Sequence, residues 1–259
     1  MILRRLTQSL KEQNWTAIVI EFVLLVSGVF LGIQVSNWNI ERESRQKSAL
    51  FTARLVADLR VEAWGYEYLI GYNKDVLANA RRALDALTGD APLSDQQFVI
   101  AAYRATQYES QDRRRATYDE LVSTGTIGLI TDDKVRRTAI AIYSTTLIDQ
   151  TMDESKQSEY RLLFRKTLSA QVQQALLENC GDHVLVPLDY AGIVQSLDYP
   201  CTLELPAERI QAAAQALRAR EGLEETLRLR FADVETVLAN LQAYNSGLVG
   251  DLREFRSSQ

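Results

Sequence analysis

One apolar stretch near the start of the chain constrains the fold more than any other feature of the sequence. The segment from Ala17 to Val35 holds nineteen residues, of which only Glu21 is charged. Trp15 and Trp38 flank it 23 residues apart, which is ~34 Å along a helix and close to the hydrocarbon thickness of a bilayer with its interfaces. The pattern predicts a transmembrane helix over residues 16–38, in contact with the lipid bilayer.

A cleaved signal peptide is the alternative for this segment, since the residues before it are basic: Arg4, Arg5 and Lys11. The apolar run is long, however, and no convincing small-x-small cleavage site follows it. The residues that follow the apolar segment include a similar number of basic side chains: Arg42, Arg45 and Lys47. The positive-inside rule then favours a cytoplasmic N-terminus by a small margin. We expect a single-pass protein of a bacterial inner membrane, with residues 1–15 cytoplasmic and the C-terminal domain periplasmic.

Two features of the apolar segment predict that it associates with other helices. Gly28 and Gly32 form a G-x-x-x-G step, which lets two helix backbones approach closely. Glu21 is costly in hydrocarbon unless it is protonated, paired or solvated. We therefore expect a homo-oligomer or a larger membrane complex. The alternative is that Glu21 reaches the nearby interface and that the glycines are incidental.

Composition and proline spacing predict an all-α protein with a real core. The chain has 29 basic and 34 acidic residues, a net charge of −5 and 46% hydrophobic residues, which excludes a mainly disordered chain and argues against nucleic-acid binding. None of the four prolines precedes Pro92 or falls between Pro92 and Pro187, so long helices are expected. Residues 39–259 should form a long-helix bundle with a proline-rich excursion near 180–206.

Local signals predict where the first helices begin and end. The helix that contains the apolar segment should continue to about Leu87, because Gly89 and Pro92 follow. Ser94 and Gln97 form a capping-box pattern for a second helix that ends near Gln107.

Two further helix starts are predicted beyond this point. Thr117 and Glu120 have the capping-box spacing for a short helix that Gly125 terminates. Thr131, followed by Asp132 and Asp133, begins a long helix that extends to about Asn179, with an interruption near 151–158 and with the two acids at the positive end of the helix dipole.

The cysteines bracket the proline-rich excursion. Cys180 and Cys201 are the two cysteines of the chain, and His183 is its single histidine. In an oxidising compartment the two cysteines would form a disulfide that closes a loop of about twenty residues. The alternative is a pair of buried thiols in a cytoplasmic domain. A short strand or turn is expected inside the excursion.

The C-terminal segment predicts a helix with one apolar face. Apolar residues alternate at spacings of four and three, as in a bundle or coiled-coil seam. The members of this bundle seam are Leu227, Phe231, Val234, Leu238, Leu241, Asn245, Leu248, Leu252 and Phe255. Asn245 either fixes the register of the seam or marks where its packing loosens.

Two segments resemble an uncharacterised bacterial family of single-pass membrane proteins. The first, EFVLLVSGVFLGIQVSNWNIERESR, ends in a Q-V-x-N-W-N-x-x-R-like motif, and the second is TYDELVSTGTIGLITD. The matching residues are Glu21, Gln34, Asn37, Trp38, Asn39, Arg42, Thr117, Glu120, Leu121 and Gly125. The resemblance implies an anchor followed by a helical domain, and it implies no activity.

Signatures of enzymes are missing from the sequence, which has no phosphate-binding glycine loop, zinc-ligand spacing or nucleophile elbow. The strongest cluster of positive charge is Arg113, Arg114 and Arg115. It could bind an anion, an acidic partner or a lipid headgroup, or it could be a solvated surface paired with neighbouring acids. Several tyrosines could form an aromatic pocket or, at helical spacing, the edges of a core.

The sequence as a whole predicts a non-enzymatic protein without cofactor or metal. The expected role is a membrane-anchored helical scaffold or an accessory subunit of a membrane complex, which self-associates through its transmembrane helix. The alternative is a periplasmic sensor that binds a small ligand and passes a helix shift to a partner in the membrane. The predicted cytoplasmic segment is too short to hold an output domain, so a signal would travel laterally.

Overall fold

The computed structural model describes residues 15–109 and 112–257 and is all-helical over them, with a long N-terminal apolar helix followed by further helices. The predicted fold class is thereby confirmed. Helix α1 (Trp15–Thr88) is uninterrupted and contains 74 residues. Residues 1–14 of the predicted cytoplasmic segment, with Arg4, Arg5 and Lys11, lie outside the described residues.

Shorter helices follow α1 in the described chain. They are α2 (Asp95–Arg104), α3 (Ala116–Ser123), α4 (Asp133–Ser144), α5 (Leu147–Lys156), α6 (Glu159–Thr167), α7 (Ala170–Cys180), α8 (Tyr190–Ser196), α9 (Ala207–Arg218), α10 (Leu223–Ala239) and α11 (Ser246–Ser257). A turn of 3-10 helix spans Ile127–Leu129, and a π-helical turn spans Asn240–Tyr244.

The predicted end of α1 and start of α2 are confirmed. Gly89 has φ +87° directly after α1, a left-handed conformation that glycine adopts without steric cost. At α2 the Gln97 amide donates to Ser94 Oγ (3.3 Å) and the Ser94 amide donates to Gln97 Oε1 (3.1 Å). Both bonds of the capping box are therefore present.

Two other predictions of helix boundaries are wrong. Helix α3 starts at Ala116, so Thr117 is a buried residue inside the helix and caps nothing. The long helix predicted from Thr131 to Asn179 is divided into α4, α5, α6 and α7. The break between α5 and α6 lies at Gln157 and Ser158, so the interruption predicted near 151–158 is confirmed, whereas the breaks before α5 and after α6 were not predicted. Asp132, rather than Thr131, caps α4 and accepts from two amides, and Ser158 and Ser169 cap two of the later helix starts through their hydroxyls. These short polar side chains compete with the helical backbone for hydrogen bonds.

The C-terminal seam is also interrupted, by the π-helical turn and by non-helical Asn245 (φ −110°). Most of its members are buried: Leu227, Val234, Leu238, Leu241, Leu252 and Phe255. Phe231, Asn245 and Leu248 are half-buried. Helix α10 packs against α6, and α11 packs against α4. The seam residues therefore pack against other helices of the same bundle. The Asn245 side-chain amide donates to Asn240 O (2.7 Å), which satisfies a carbonyl of the π-helical turn.

The described chain divides into two compact units. The first is Met1–Ala53 with Gly128–Thr131, and it includes a hydrogen bond from Ser48 Oγ to Leu129 O (2.6 Å). The second is Arg54–Ile127 with Asp132–Gln259. A core cluster of this unit combines residues of α1, α2, α6, α7, α9 and α10, with Phe98, Tyr160 and Phe164 fully buried. Aromatic burial of this size is a main stabilising contribution.

Candidate ligand-binding cleft

A cleft of about 450 Å³ opens to solvent between α1, the end of α2, α6 and the segment after α7. Small-molecule sites have volumes of about 300–1,000 Å³, so this cleft is large enough for one. A more enclosed cavity beside Glu62 and Arg113 has only about 30 Å³, which holds one or two water molecules. We therefore treat the larger cleft as the candidate site.

Aromatic rings form one wall of the cleft. Trp64 and Tyr68 lie one turn apart on α1 with ring centroids 5.8 Å apart, and Tyr103 and Tyr108 line the cleft from α2 and the turn after it. Trp64 Nε1 donates to Asp189 O (3.0 Å), which fixes the indole. Such rings bind apolar groups and, through their faces, cations. Part of the tyrosine set thus lines a cleft, as one of the sequence alternatives proposed.

Two acidic residues, Glu109 and Asp182, also line the cleft. Both carboxylate oxygens of Asp182 accept from the Tyr72 hydroxyl at 2.9 Å. Burial raises the pKa of Asp182, whereas the hydrogen bond from Tyr72 lowers it. Burial, together with the nearby negative charges of Glu109 and Asp182, raises the pKa of Tyr68 far above its ordinary range. Both tyrosines therefore remain neutral donors at any physiological pH.

Two arginines of α6 supply the positive charge. Arg161 is buried, its Nη1 donates to Thr106 O (2.9 Å), and its Cζ lies 4.7 Å from the centroid of the Tyr108 ring. Burial and the neighbouring Arg165 lower the pKa of Arg161. Arg165 is exposed and lines the cleft. A carboxylate placed here would gain charge-assisted hydrogen bonds from a planar donor.

The segment that closes the cleft is held by a disulfide. Cys180 and Cys201 are bonded, with Cα atoms 5.5 Å apart, so the Cys180 thiol is not available to pair with His183 as a nucleophile. His183 instead stacks on Tyr199 (centroids 4.1 Å apart), whose carbonyl accepts from Arg104 Nη2 at 2.6 Å. The turn expected in this excursion is present at Pro187 and Leu188, where the Asp189 amide donates to Val186 O (3.1 Å), and it leads into the short helix α8, which was not predicted and is capped by Asp189.

The residues of the family resemblance lie elsewhere. Gln34, Asn37, Trp38, Asn39 and Arg42 are exposed on α1. In the second block Glu120 pairs with Arg54 (3.0 Å), and Gly125 ends α3 with φ +68°. The structure does not bring either block to the cleft.

The arginine triplet is only partly a surface feature. Arg113 is buried against Glu62, to which its Nε donates (3.1 Å), and its Nη2 donates to Ile142 O (2.6 Å). Arg115 pairs with Asp119 on the surface, as the solvated alternative proposed. Arg114 is exposed, and its backbone amide donates to Glu62 (2.6 Å). The three side chains therefore do not converge on one anion site.

The apolar segment of α1 is largely exposed among the described residues. One helix of the described residues is long and apolar enough, by length and composition, to span a membrane, and its most apolar window is fully uncovered. A Cβ atom added at Gly28 or Gly32 would meet nothing within 4 Å, and Glu21 is half-buried. Residues 15–109 and 112–257 contain no group of three or more side chains suited to hold a metal ion.

No protein-family model, curated protein or solved structure matches the chain. The cleft therefore has to be interpreted from its own chemistry. Sequence reasoning missed its charged residues, Arg161, Arg165 and Asp182, because nothing in their local spacing differs from that of a solvated helix or loop. The one available signal was the position of Asp182 two residues after Cys180, in the excursion that the cysteines bracket.

Proposed function

We propose that the protein is a membrane-anchored sensor, in which a periplasmic helical bundle binds a small molecule and passes a helix shift to a partner in a bacterial inner membrane. The observation that carries this proposal is the position of the cleft residues on α1. Trp64 and Tyr68 belong to the same uninterrupted helix, Trp15–Thr88, as the apolar segment. A ligand that displaces these rings acts on the helix that would enter the membrane.

The disulfide supports the periplasmic location. Disulfides persist in oxidising compartments and are rare in the cytosol, and the Cys180–Cys201 bond lies in the domain that this topology exports. The bilayer-length apolar segment supports a single crossing with a cytoplasmic N-terminus. The cleft is the reason to place the sensor ahead of the scaffold.

Native mass spectrometry of the protein extracted gently from its own membrane tests the proposal. We expect the 29.3 kDa chain to carry a small added mass, together with the mass of a membrane partner. The added mass should disappear in the variant Trp64→Ala, which removes part of the aromatic wall. A clean multiple of the chain mass, with no small adduct and no partner, would contradict the sensor.

A second candidate function is the scaffold that self-associates through α1. The exposed and unobstructed surface at Gly28 and Gly32 favours it. We expect Gly28→Ile to weaken association by roughly tenfold or more, because its branched side chain holds two helix backbones apart. Glu21→Leu should weaken association as well.

Oligomer mass in detergent provides the measurement for the scaffold, with Val26→Ile as a matched control on another face of the helix. An oligomer that survives both Gly28→Ile and Glu21→Leu unchanged would rule out association through this face.

A further inference from the structure

The cleft is lined by charged groups of both signs, among them Arg161, Arg165 and Asp182. Within the described chain no carboxylate lies within 4 Å of the Arg161 or Arg165 guanidinium, and no Lys, Arg or His nitrogen lies that close to the Asp182 carboxylate. Other arginines of the same domain, among them Arg104 and Arg113, do have such partners. The cleft thus holds positive and negative groups that form no close ion pair with one another and that a ligand could pair.

Burial makes these groups responsive to an opposite charge. It lowers the pKa of Arg161 and raises the pKa of Asp182, so in each residue the charged form is the one that burial disfavours. A carboxylate beside Arg161 and an ammonium beside Asp182 would restabilise both charged forms. A ligand with one charge alone would satisfy one side and be repelled by the other.

The remaining lining is aromatic and apolar. Trp64, Tyr68 and Tyr103 present ring surfaces, and Leu177, Leu185 and Pro187 add aliphatic contacts. An aliphatic or aromatic side chain of a ligand would be desolvated here.

We propose that the cleft binds a free α-amino acid with an apolar or aromatic side chain, whose carboxylate pairs with Arg161 and Arg165 and whose ammonium pairs with Asp182. This assignment rests on the proposed function, since it names the ligand of the same cleft. It differs from a simple anion site because Asp182 and Glu109 line the same space. A cation site is disfavoured equally by the two arginines.

The fluorescence of Trp64 in the full-length protein in detergent micelles tests this assignment. Trp15→Phe and Trp38→Phe leave Trp64 as the single tryptophan, since the sequence has three. L-phenylalanine is the probe, and phenethylamine and hydrocinnamate are the matched compounds that lack its carboxylate and its ammonium. We expect phenylalanine to bind about tenfold or more tightly than either, the effect of one lost charge-assisted contact.

Side-chain variants then locate the site. Arg165→Met and Asp182→Asn should each weaken phenylalanine binding about tenfold or more. Lys166→Met is the matched control, because Lys166 is the next residue of α6, is exposed and does not line the cleft. Far-ultraviolet circular dichroism verifies that each variant is folded. Loss of binding in the Lys166 variant equal to that in the Arg165 variant would overturn the assignment.

The outcomes of the fluorescence and mass-spectrometry experiments distinguish a failure of the ligand assignment from a failure of the proposed sensor function. Equal binding of all three compounds, or no fluorescence change with any of them, would overturn the amino-acid assignment. If native mass spectrometry still finds a different small molecule on the protein, the sensor stands and the ligand class fails. If phenylalanine binds as expected and no membrane partner is found, the ligand class stands and the sensor fails.

Discussion

Replacement of Arg230 by alanine is expected to lower the free energy of unfolding by about 3–5 kcal/mol. Arg230 is 3% exposed on α10 and donates three hydrogen bonds, to Ala105 O, Gln107 O and Ser155 Oγ. Alanine would leave these acceptors unsatisfied inside the bundle and create a cavity. Burial lowers the pKa of Arg230 to about 10, so the side chain stays protonated at neutral pH and all three bonds are charge-assisted.

Thermal and denaturant unfolding of the full-length protein, followed by circular dichroism, measures this loss. Arg228→Ala is the matched control: it lies two residues away on α10, is exposed and pairs with Glu224 on the surface, so it should cost less than about 1 kcal/mol. Arg230→Lys should fall between the two, since it keeps the charge but not the fork of donors. Equal stability of the Arg228 and Arg230 variants would show that these buried bonds contribute nothing net.

Replacement of Glu62 by alanine is expected to cost a similar amount, about 3–5 kcal/mol. Glu62 and Arg113 are buried together, with side chains 7% and 9% exposed. Glu62 also accepts from the Arg114 amide. Its removal would leave a buried guanidinium without its counter-charge, and Arg113 Nη1 already lacks a hydrogen-bond partner.

Glu67→Ala is the control for this second prediction, because Glu67 also lies on α1 and pairs with an arginine, Arg256, but on the surface (3.0 Å). It should cost less than about 1 kcal/mol. The double variant Glu62→Leu with Arg113→Met should recover part of the stability lost in Glu62→Ala, since no charge then remains unpaired. A double variant that is less stable than Glu62→Ala would contradict this reason, because it would show that the loss in Glu62→Ala does not arise from the unpaired charge of Arg113.

Sequence reasoning succeeded where a local signal alone determines the structure. The end of α1 depends on Gly89, and the start of α2 depends on two side chains three residues apart, Ser94 and Gln97. Sequence reasoning failed where two local signals predicted different helix boundaries. Thr117 and Glu120 have the same spacing as that capping pair, yet α3 begins earlier, and Thr117 is buried by contacts that no short-range pattern encodes.

The cleft could not be predicted, for a related reason. Trp64 and Arg161 are nearly one hundred positions apart, and they line the same space because α1 and α6 fold into one domain. Charged residues such as Arg165 have the same local sequence pattern whether they face solvent or a ligand. The tyrosine-rich composition suggested an aromatic surface, but only the fold selects Tyr68 and Tyr103 for it.

The disulfide links the assembly of the cleft to the redox state of its surroundings. The bond between Cys180 and Cys201 encloses Asp182, His183 and Pro187, all of which line the cleft. With the bond reduced, this segment would be an open loop of greater conformational freedom. The shape of the cleft would therefore depend on the oxidation state of two cysteines that do not themselves line it.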